Sequence, residues 1–127
     1  MSPLQVGVGV KWGMEAAVHS TRTYLEHQHQ SPKAVVKLDF KNAFNTVRRD
    51  VILKAVHDAT PDCYAYVHSA YSAASHLFIG SEIISSEEGV QQGDPLGPML
   101  FCMAVHPLLT ACKTELKILT TLLLEMN

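Results

Sequence analysis

The chain has 127 residues, of which 47% are hydrophobic, and this composition excludes a disordered segment and supports one ordinary domain with its own core. The formal net charge of −2 conceals a basic stretch, because residues 33–54 hold six lysines and arginines and two aspartates. Such a stretch suits a phosphate-rich partner, although a solvated helix face has the same pattern. Three cysteines at no metal-like spacing predict reduced thiols in the core.

The first predicted elements are a helix and a strand. Apolar residues recur at helical spacing through residues 13–27, "GMEAAVHSTRTYLEH", which predicts one face of a helix. Residues 34–40, "AVVKLDF", are rich in branched side chains and alternate in polarity, which predicts a strand. Its polar face would carry Lys37 and Asp39, so chemistry is expected at the end of this strand.

The middle of the chain predicts two helices and a hairpin. Residues 48–60 have the apolar spacing of an amphipathic helix that Pro61 ends, and a second helix is expected over residues 62–74. Two short β-prone runs, "SHLFIG" and "SEIIS", then meet at Gly80 and Ser81, which predicts a β-hairpin.

An irregular loop and a long apolar helix complete the predicted order. Residues 86–98, "SEEGVQQGDPLGP", contain three glycines and two prolines, so the backbone itself is expected to shape this loop. The uncharged run at residues 95–112 raises the question of a membrane span, but its prolines and His106 favour a helix inside a protein. Helices interleaved with antiparallel strands predict an α+β fold.

Two groups of residues are candidates for chemistry. Asp39, with the neighbouring carbonyl of Phe40, offers two hard oxygen ligands to Mg²⁺, although an aspartate at a strand end also commonly caps a turn or helix. Gln92 and Gly93 precede Asp94, where the chain bends and enters a helix whose first amides can face a phosphate or a base. The alternative for this second group is an ordinary loop and helix cap.

The order of two motifs resembles a known family. "LDFKNAFNTV", followed some fifty residues later by "GVQQGDPLGPMLF", resembles the reverse transcriptase domain of animal non-LTR retrotransposons. "GVGVKWGMEAAVHSTRTYL" resembles the segment just upstream of that family's first catalytic motif. The resemblance covers residues 5–118 and implies a partial right-hand polymerase fold, fingers plus part of the palm, with helices packed on a short antiparallel sheet. Residues 1–118 would then be a partial reverse transcriptase domain and residues 119–127 a divergent tail.

The resemblance also implies roles for five residues. Asp39 would bind the catalytic metal ions, taken to be Mg²⁺, with help from the carbonyl of Phe40. Phe44 would be the aromatic gate under the sugar of the incoming nucleotide. Gln92 and Gly93 would lie against that nucleotide and the templating base. The implied partners are an RNA template, a DNA primer and deoxynucleoside triphosphates, with no membrane, and the implied place of action is the nucleus.

One family motif has no counterpart in the sequence. The other two metal ligands of the family lie in an aromatic-x-Asp-Asp hairpin expected near Ile118, but no aspartate follows Asp94. Glu115 and Glu125 are the only acids there, and surface charges are their expected role. We therefore expect a fragment that is inactive alone. Two alternatives are a non-catalytic nucleic-acid-binding module that uses the basic stretch, and an inert product of a decayed element.

Overall fold

The computed structural model describes residues 4–27 and 35–116. Five helices and two strands lie along these residues in the order α1 (Gly13–Glu26), α2 (Ala43–Thr46), α3 (Arg49–Ala59), α4 (Pro61–Tyr71), β1 (Ser75–Ile79), β2 (Glu82–Ser86) and α5 (Gly97–Leu116). This mixture of helices with an antiparallel strand pair confirms the predicted α+β class. The described residues divide into two compact units, one of residues 40–107 and one of residues 4–27, 35–39 and 108–116.

The unit of residues 40–107 is built around α3, α4 and the first half of α5. The buried hydrophobic residues of α3 and α4 recur at an interval of four, as the apolar spacing requires: Ile52 and Val56 on α3, and Val67 and Tyr71 on α4. Leu100 from α5 is fully buried in the same cluster. Burial of one such aliphatic side chain stabilises a fold by about 1.5–3 kcal/mol, so these helices form the core that supports the loops around them.

Pro61 separates α3 from α4, as the sequence predicts. It is the first residue of α4, where the missing N–H costs nothing. The backbone N–H of Thr60 donates to the carbonyl of Val56 at 2.8 Å and so completes the last turn of α3. The two predicted helices are thus confirmed, with α4 ending at Tyr71.

The predicted hairpin is also confirmed. β1 and β2 pair antiparallel, with Leu77 opposite Ile84 and Phe78 opposite Ile83. Gly80 forms the turn in the left-handed conformation, at φ +62°. These four paired apolar side chains are all exposed, which is unusual for both faces of a ribbon.

The predicted strand at residues 34–40 is wrong for the residues that the structure describes. Residues 35–40 have no regular secondary structure, and all six are exposed. A strand requires a hydrogen-bonded neighbour, and β1 with β2 makes the one sheet found in residues 4–27 and 35–116. Alternating polarity therefore indicated strand propensity, but it did not show that a partner strand lies beside this segment.

The other unit contains α1, which confirms the helix predicted at residues 13–27. This helix starts after Trp12, a residue in the left-handed conformation at φ +61°. Ala17 is buried, whereas Val18 and Leu25 are exposed. The proposed boundary at residue 118 and the tail at residues 119–127 lie outside the described residues and stay a prediction.

Burial differs among the three cysteines. All three cysteines are free thiols, but only Cys102 is buried, and Cys63 is exposed, so the prediction that they all lie in the core is wrong.

The apolar helix α5 has the length to be tested as a membrane span. Across the part of the chain that the structure describes, no helix has the length and apolar content needed to cross a membrane.

Candidate functional site

Gln92 and Gly93 occupy the middle of a tight turn. The N–H of Asp94 donates to the carbonyl of Gln91 at 3.1 Å, which closes a four-residue turn. Gly93 has φ +87°, the sign that the third position of a type II turn requires. Both central residues are exposed, and a Cβ atom on Gly93 would meet nothing within 4 Å. The turn therefore presents a small and open backbone surface.

The hydroxyl group of Tyr71 bonds both ends of this turn. It donates a hydrogen bond to Oδ2 of Asp94 and accepts one from the N–H of Gln91 at 3.3 Å. Burial, followed by the hydrogen bond to Asp94, raises the pKa of Tyr71 to about 12, so the hydroxyl keeps its proton at neutral pH. The side chain of Gln91 also donates to Oγ of Ser75 at 3.1 Å. Sequence reasoning missed Tyr71, although its helical spacing from Val67 marked it as buried.

Asp94 also starts the turn that leads into α5. Its Oδ1 accepts the N–H of Leu96 at 2.8 Å, and its carbonyl accepts the N–H of Gly97 at 3.0 Å. A side-chain oxygen that accepts the N–H two residues on is typical of an Asx turn, which here lies just ahead of the first residue of α5, Gly97. Asp94 thus shapes the loop that enters α5, and the helix cap that one of the two sequence interpretations expected stays a prediction.

Phe44 lies beside the loop that carries the turn. It belongs to α2, a four-residue helix that the sequence did not predict. The N–H of Val90 donates to the carbonyl of Phe44 at 2.8 Å, and the N–H of Gly89 donates to the carbonyl of Val47 at 2.9 Å. These bonds place the first family motif against the segment that leads to Gln92.

Arg49 is the charged residue that the structure buries, and sequence reasoning counted it only as part of the basic stretch. It is 7% exposed, and it is the one buried side chain with a formal charge in residues 4–27 and 35–116. Its guanidinium group donates to four oxygen atoms in three segments: the carbonyls of Ala73, Glu88 and Gly89, and Oγ of Ser86, at 3.0–3.4 Å. It also lies 5.5 Å from the ring centroid of Tyr71. The sequence signal that could have identified Arg49 as buried was its spacing from Ile52, because that spacing places both residues on one face of α3.

The rest of the basic stretch is partly neutralised. Arg48 donates to Asp50 at 3.0 Å, and Lys54 donates to Asp58 at 2.7 Å. These hydrogen bonds hold the pKa of each aspartate below its usual value. With Arg49 buried as well, less free positive charge faces solvent than the sequence suggests.

Asp39 and Phe40 lie in the segment without regular structure. Both are exposed, and the carboxylate of Asp39 makes no hydrogen bond or ion pair with any described residue. A solvated carboxylate next to a backbone carbonyl has the oxygen chemistry that Mg²⁺ prefers, so these two groups fit part of a magnesium site. Nowhere in residues 4–27 and 35–116 do three His, Cys, Asp or Glu side chains gather as a metal cluster would.

Comparison with known proteins decides the family. The sequence model of the family described as "Reverse transcriptase (RNA-dependent DNA polymerase)" matches residues 8–122. The chain belongs to the reverse transcriptase family. It is also 32% identical over 90 residues to the retrovirus-related Pol polyprotein from type-1 retrotransposable element R2 of Popillia japonica. That alignment covers 64% of this chain and 14% of the relative. No solved structure matched the chain.

These matches confirm that the chain carries a non-LTR reverse transcriptase domain, as the two sequence motifs indicated. The family generally uses divalent metal ions. Within this reverse transcriptase chain, the structure brings Phe44 together with the loop that carries Gln92 and Gly93. Asp39 falls in the other compact unit. The roles of all these residues, and of Phe40, stay predictions.

Proposed function

We propose that this chain is a fingers-and-palm segment of an RNA-directed DNA polymerase. Its partners would be an RNA template, a DNA primer and deoxynucleoside triphosphates. The observation that carries the proposal is the bond between Val90 and Phe44, because it joins the backbones of two family motifs. The chain spans about 14% of the curated relative, so the activity of a complete polymerase is itself part of the proposal.

The proposed site has two parts. Phe44 would lie under the sugar of the incoming nucleotide and exclude a ribose 2′-hydroxyl by contact. The exposed turn at Gln92 and Gly93 would lie against the nucleotide and the templating base. Phe44 is half-buried, and its ring rests on Phe101, which supports the role of a rigid wall.

The carboxylate of Asp39 and the carbonyl of Phe40 would hold Mg²⁺. When bound, the metal ions of such a site activate the primer hydroxyl and stabilise the leaving pyrophosphate. One carboxylate leaves most of the coordination sphere to water, which Mg²⁺ sheds reluctantly. We therefore propose that this chain alone binds nucleotide weakly and does not extend a primer.

The test is a titration of the chain with a deoxynucleoside triphosphate, with Mg²⁺ or with a chelator. We expect Mg²⁺-dependent binding that weakens about tenfold in Asp39→Asn, which corresponds to the loss of one charged metal ligand. Asp62→Asn is the matched control, because Asp62 is an exposed aspartate in the first turn of α4. Equal affinity in Asp39→Asn and in the unchanged chain would contradict the assignment of Asp39. Measurable primer extension would contradict the proposed inactivity.

The nucleic-acid-binding alternative predicts a different result. It requires that the basic stretch bind RNA without a nucleotide, with an affinity that falls steeply as salt rises. The pairing of Arg48 with Asp50 and of Lys54 with Asp58 weakens this reading. Tight RNA binding that Asp39→Asn leaves unchanged, together with a steep salt dependence, would favour it over the polymerase segment.

The inert-product alternative predicts poor solution behaviour. The exposed apolar residues at Val36 and Leu38, and those on the hairpin at Phe78 and Ile79, are an aggregation risk. Under this alternative we expect marginal stability and no nucleotide binding. A soluble monomer with a sharp cooperative melt would count against it.

A further inference from the structure

Tyr71 has a role that the family resemblance does not assign. Its hydroxyl accepts the N–H of Gln91, the first residue of the turn, and donates to the carboxylate of Asp94, the fourth residue. Glycine in the third position is permissive, so the bond from Asp94 to Gln91 does not by itself exclude other turn geometries. The exposed side chain of Gln92 makes no hydrogen bond with a described residue. Tyr71 is therefore the side chain that restrains the turn at both of its ends.

We propose that Tyr71 is a positioning residue for the Gln92–Gly93 turn and, through it, for the nucleotide. The second half of this inference rests on the proposed function. Tyr71 is suited to the task because its ring is 2% exposed and is packed in the core, which fixes the hydroxyl in space. A rigid anchor under an otherwise open turn lowers the entropy that nucleotide binding would have to remove.

Arg49 helps to hold Tyr71 in place. Its guanidinium group lies 5.5 Å from the ring centroid of Tyr71 and bonds the carbonyl of Ala73, two residues after Tyr71. The same group bonds the carbonyl of Gly89, which precedes the turn. One buried cation thus links the segment that carries the anchor to the segment that enters the turn, because its planar fork can serve several acceptors.

The test compares two tyrosines on the same helix. Tyr71→Phe removes the hydroxyl and keeps the ring, and Tyr66→Phe makes the same change at an exposed position of α4. The readout is amide hydrogen exchange at Gln91 and Asp94, the turn residues whose N–H groups are hydrogen-bonded, relative to core residues such as Val56. We expect roughly threefold to tenfold faster exchange at Gln91 and Asp94 in Tyr71→Phe, as for the loss of one or two hydrogen bonds, with Val56 unchanged. Tyr66→Phe should change neither.

A second variant distinguishes the loss of this hydrogen bond from a general folding defect. Asp94→Asn leaves the core intact and weakens the charge-assisted bond from Tyr71, so exchange should again rise locally. Exchange that rises equally at Val56 and at the turn would show a general loss of stability and would overturn the proposal. No change at the turn in either variant would also overturn it.

Nucleotide titration separates this inference from the proposed function. If the unchanged chain binds a deoxynucleoside triphosphate, we expect Tyr71→Phe to weaken binding about threefold to tenfold, as the loss of one or two hydrogen bonds would. Local loosening of the turn in a chain that binds no nucleotide would support the anchor and overturn the proposed function. Loosening of the turn with unchanged nucleotide affinity would overturn the positioning role.

Discussion

The ring of Phe44 stacks on the ring of Phe101, with the two centroids 4.7 Å apart and the planes inclined by 20°. Phe101 lies on α5 and is 4% exposed, so it is a fixed surface for its partner. One face of the proposed gate is therefore covered by the core, and its position depends on α5 as well as on α2. Phe44 therefore packs against the core as well as forming the proposed gate.

The first prediction is a coupling energy between these two rings. In a double-mutant cycle with Phe44→Leu and Phe101→Leu, the interaction energy should be about 0.5–1.5 kcal/mol, as for aromatic pairs in contact. The measurement is denaturant unfolding of the four proteins. Phe78 is 73% exposed on the hairpin, so Phe44→Leu combined with Phe78→Leu should be additive. A coupling no larger than in that control pair would contradict the stacking.

A second prediction concerns the approach of the loop to α2. A Cβ atom on Gly89 would lie 2.5 Å from the carbonyl oxygen of Asn45, and Gly89 has φ +72°. Gly89→Ala should therefore cost more than about 2 kcal/mol, because strain adds to a backbone clash. Gly80 has φ +62° but open space around it, so Gly80→Ala should cost only about 1 kcal/mol. Equal losses in thermal unfolding would show that the clash is relieved at no cost.

A third prediction separates two neighbouring arginines. Arg49→Met leaves four oxygen acceptors without their donor, so it should destabilise the chain by more than about 2 kcal/mol. Arg48 bonds only the exposed carboxylate of Asp50, so Arg48→Met should leave stability nearly unchanged. Urea unfolding measures both. A similar loss for the two variants would contradict the burial of Arg49.

Local signals in the sequence were sufficient for the elements that depend on near neighbours. Gly80 between two β-prone runs predicted the hairpin, and Pro61 predicted the break between α3 and α4. These features follow from φ preferences and from missing donors, which are properties of single residues. The turn at Gln92 and Gly93 was predicted for the same reason.

Features that depend on distant partners could not be predicted in this way. Arg49 is held by carbonyls 24 and 40 residues away, and no local pattern states which of two adjacent arginines finds them. Tyr71 bonds Asp94, 23 residues away. The strand expected at residues 34–40 failed at 35–40 because pairing requires a second strand, which polarity alternation does not supply.

A fourth prediction concerns strained backbone ahead of α1. Trp12 has φ +61°, a conformation that is costly for a bulky residue, and its side chain is 70% exposed, so little packing depends on it. Trp12→Gly should stabilise the chain by about 0.5–1 kcal/mol, even though Lys11 loses a ring contact at 5.9 Å. Asn42 has φ +53° but is tolerated there, and its Oδ1 accepts a bond from Asn45, so Asn42→Gly should gain nothing. A thermal melt in which Trp12→Gly loses stability would contradict the strain.

The fifth prediction follows from the raised pKa of Tyr71. Its pKa in the folded chain is about 12, against about 10 for an exposed tyrosine, because burial and the bond to Asp94 favour the protonated form. A raised pKa means that the folded state holds its proton more tightly than the unfolded state does. The resulting stabilisation is complete below about pH 10 and is lost as the pH rises toward 12. The free energy of unfolding should therefore fall across this window.

Two measurements check this alkaline window. Tyrosinate absorbance should show one group that titrates near pH 12 in the folded chain, and Tyr71→Phe should remove it while Tyr66→Phe should not. Unfolding experiments between about pH 9 and pH 12 should show a shallower loss of stability in Tyr71→Phe than in Tyr66→Phe. Because the phenol is the hydrogen-bond donor to Asp94, its ionisation also breaks the bond that restrains the turn. An identical pH profile in both variants would mean that the hydroxyl is solvated and that Tyr71 does not hold the turn.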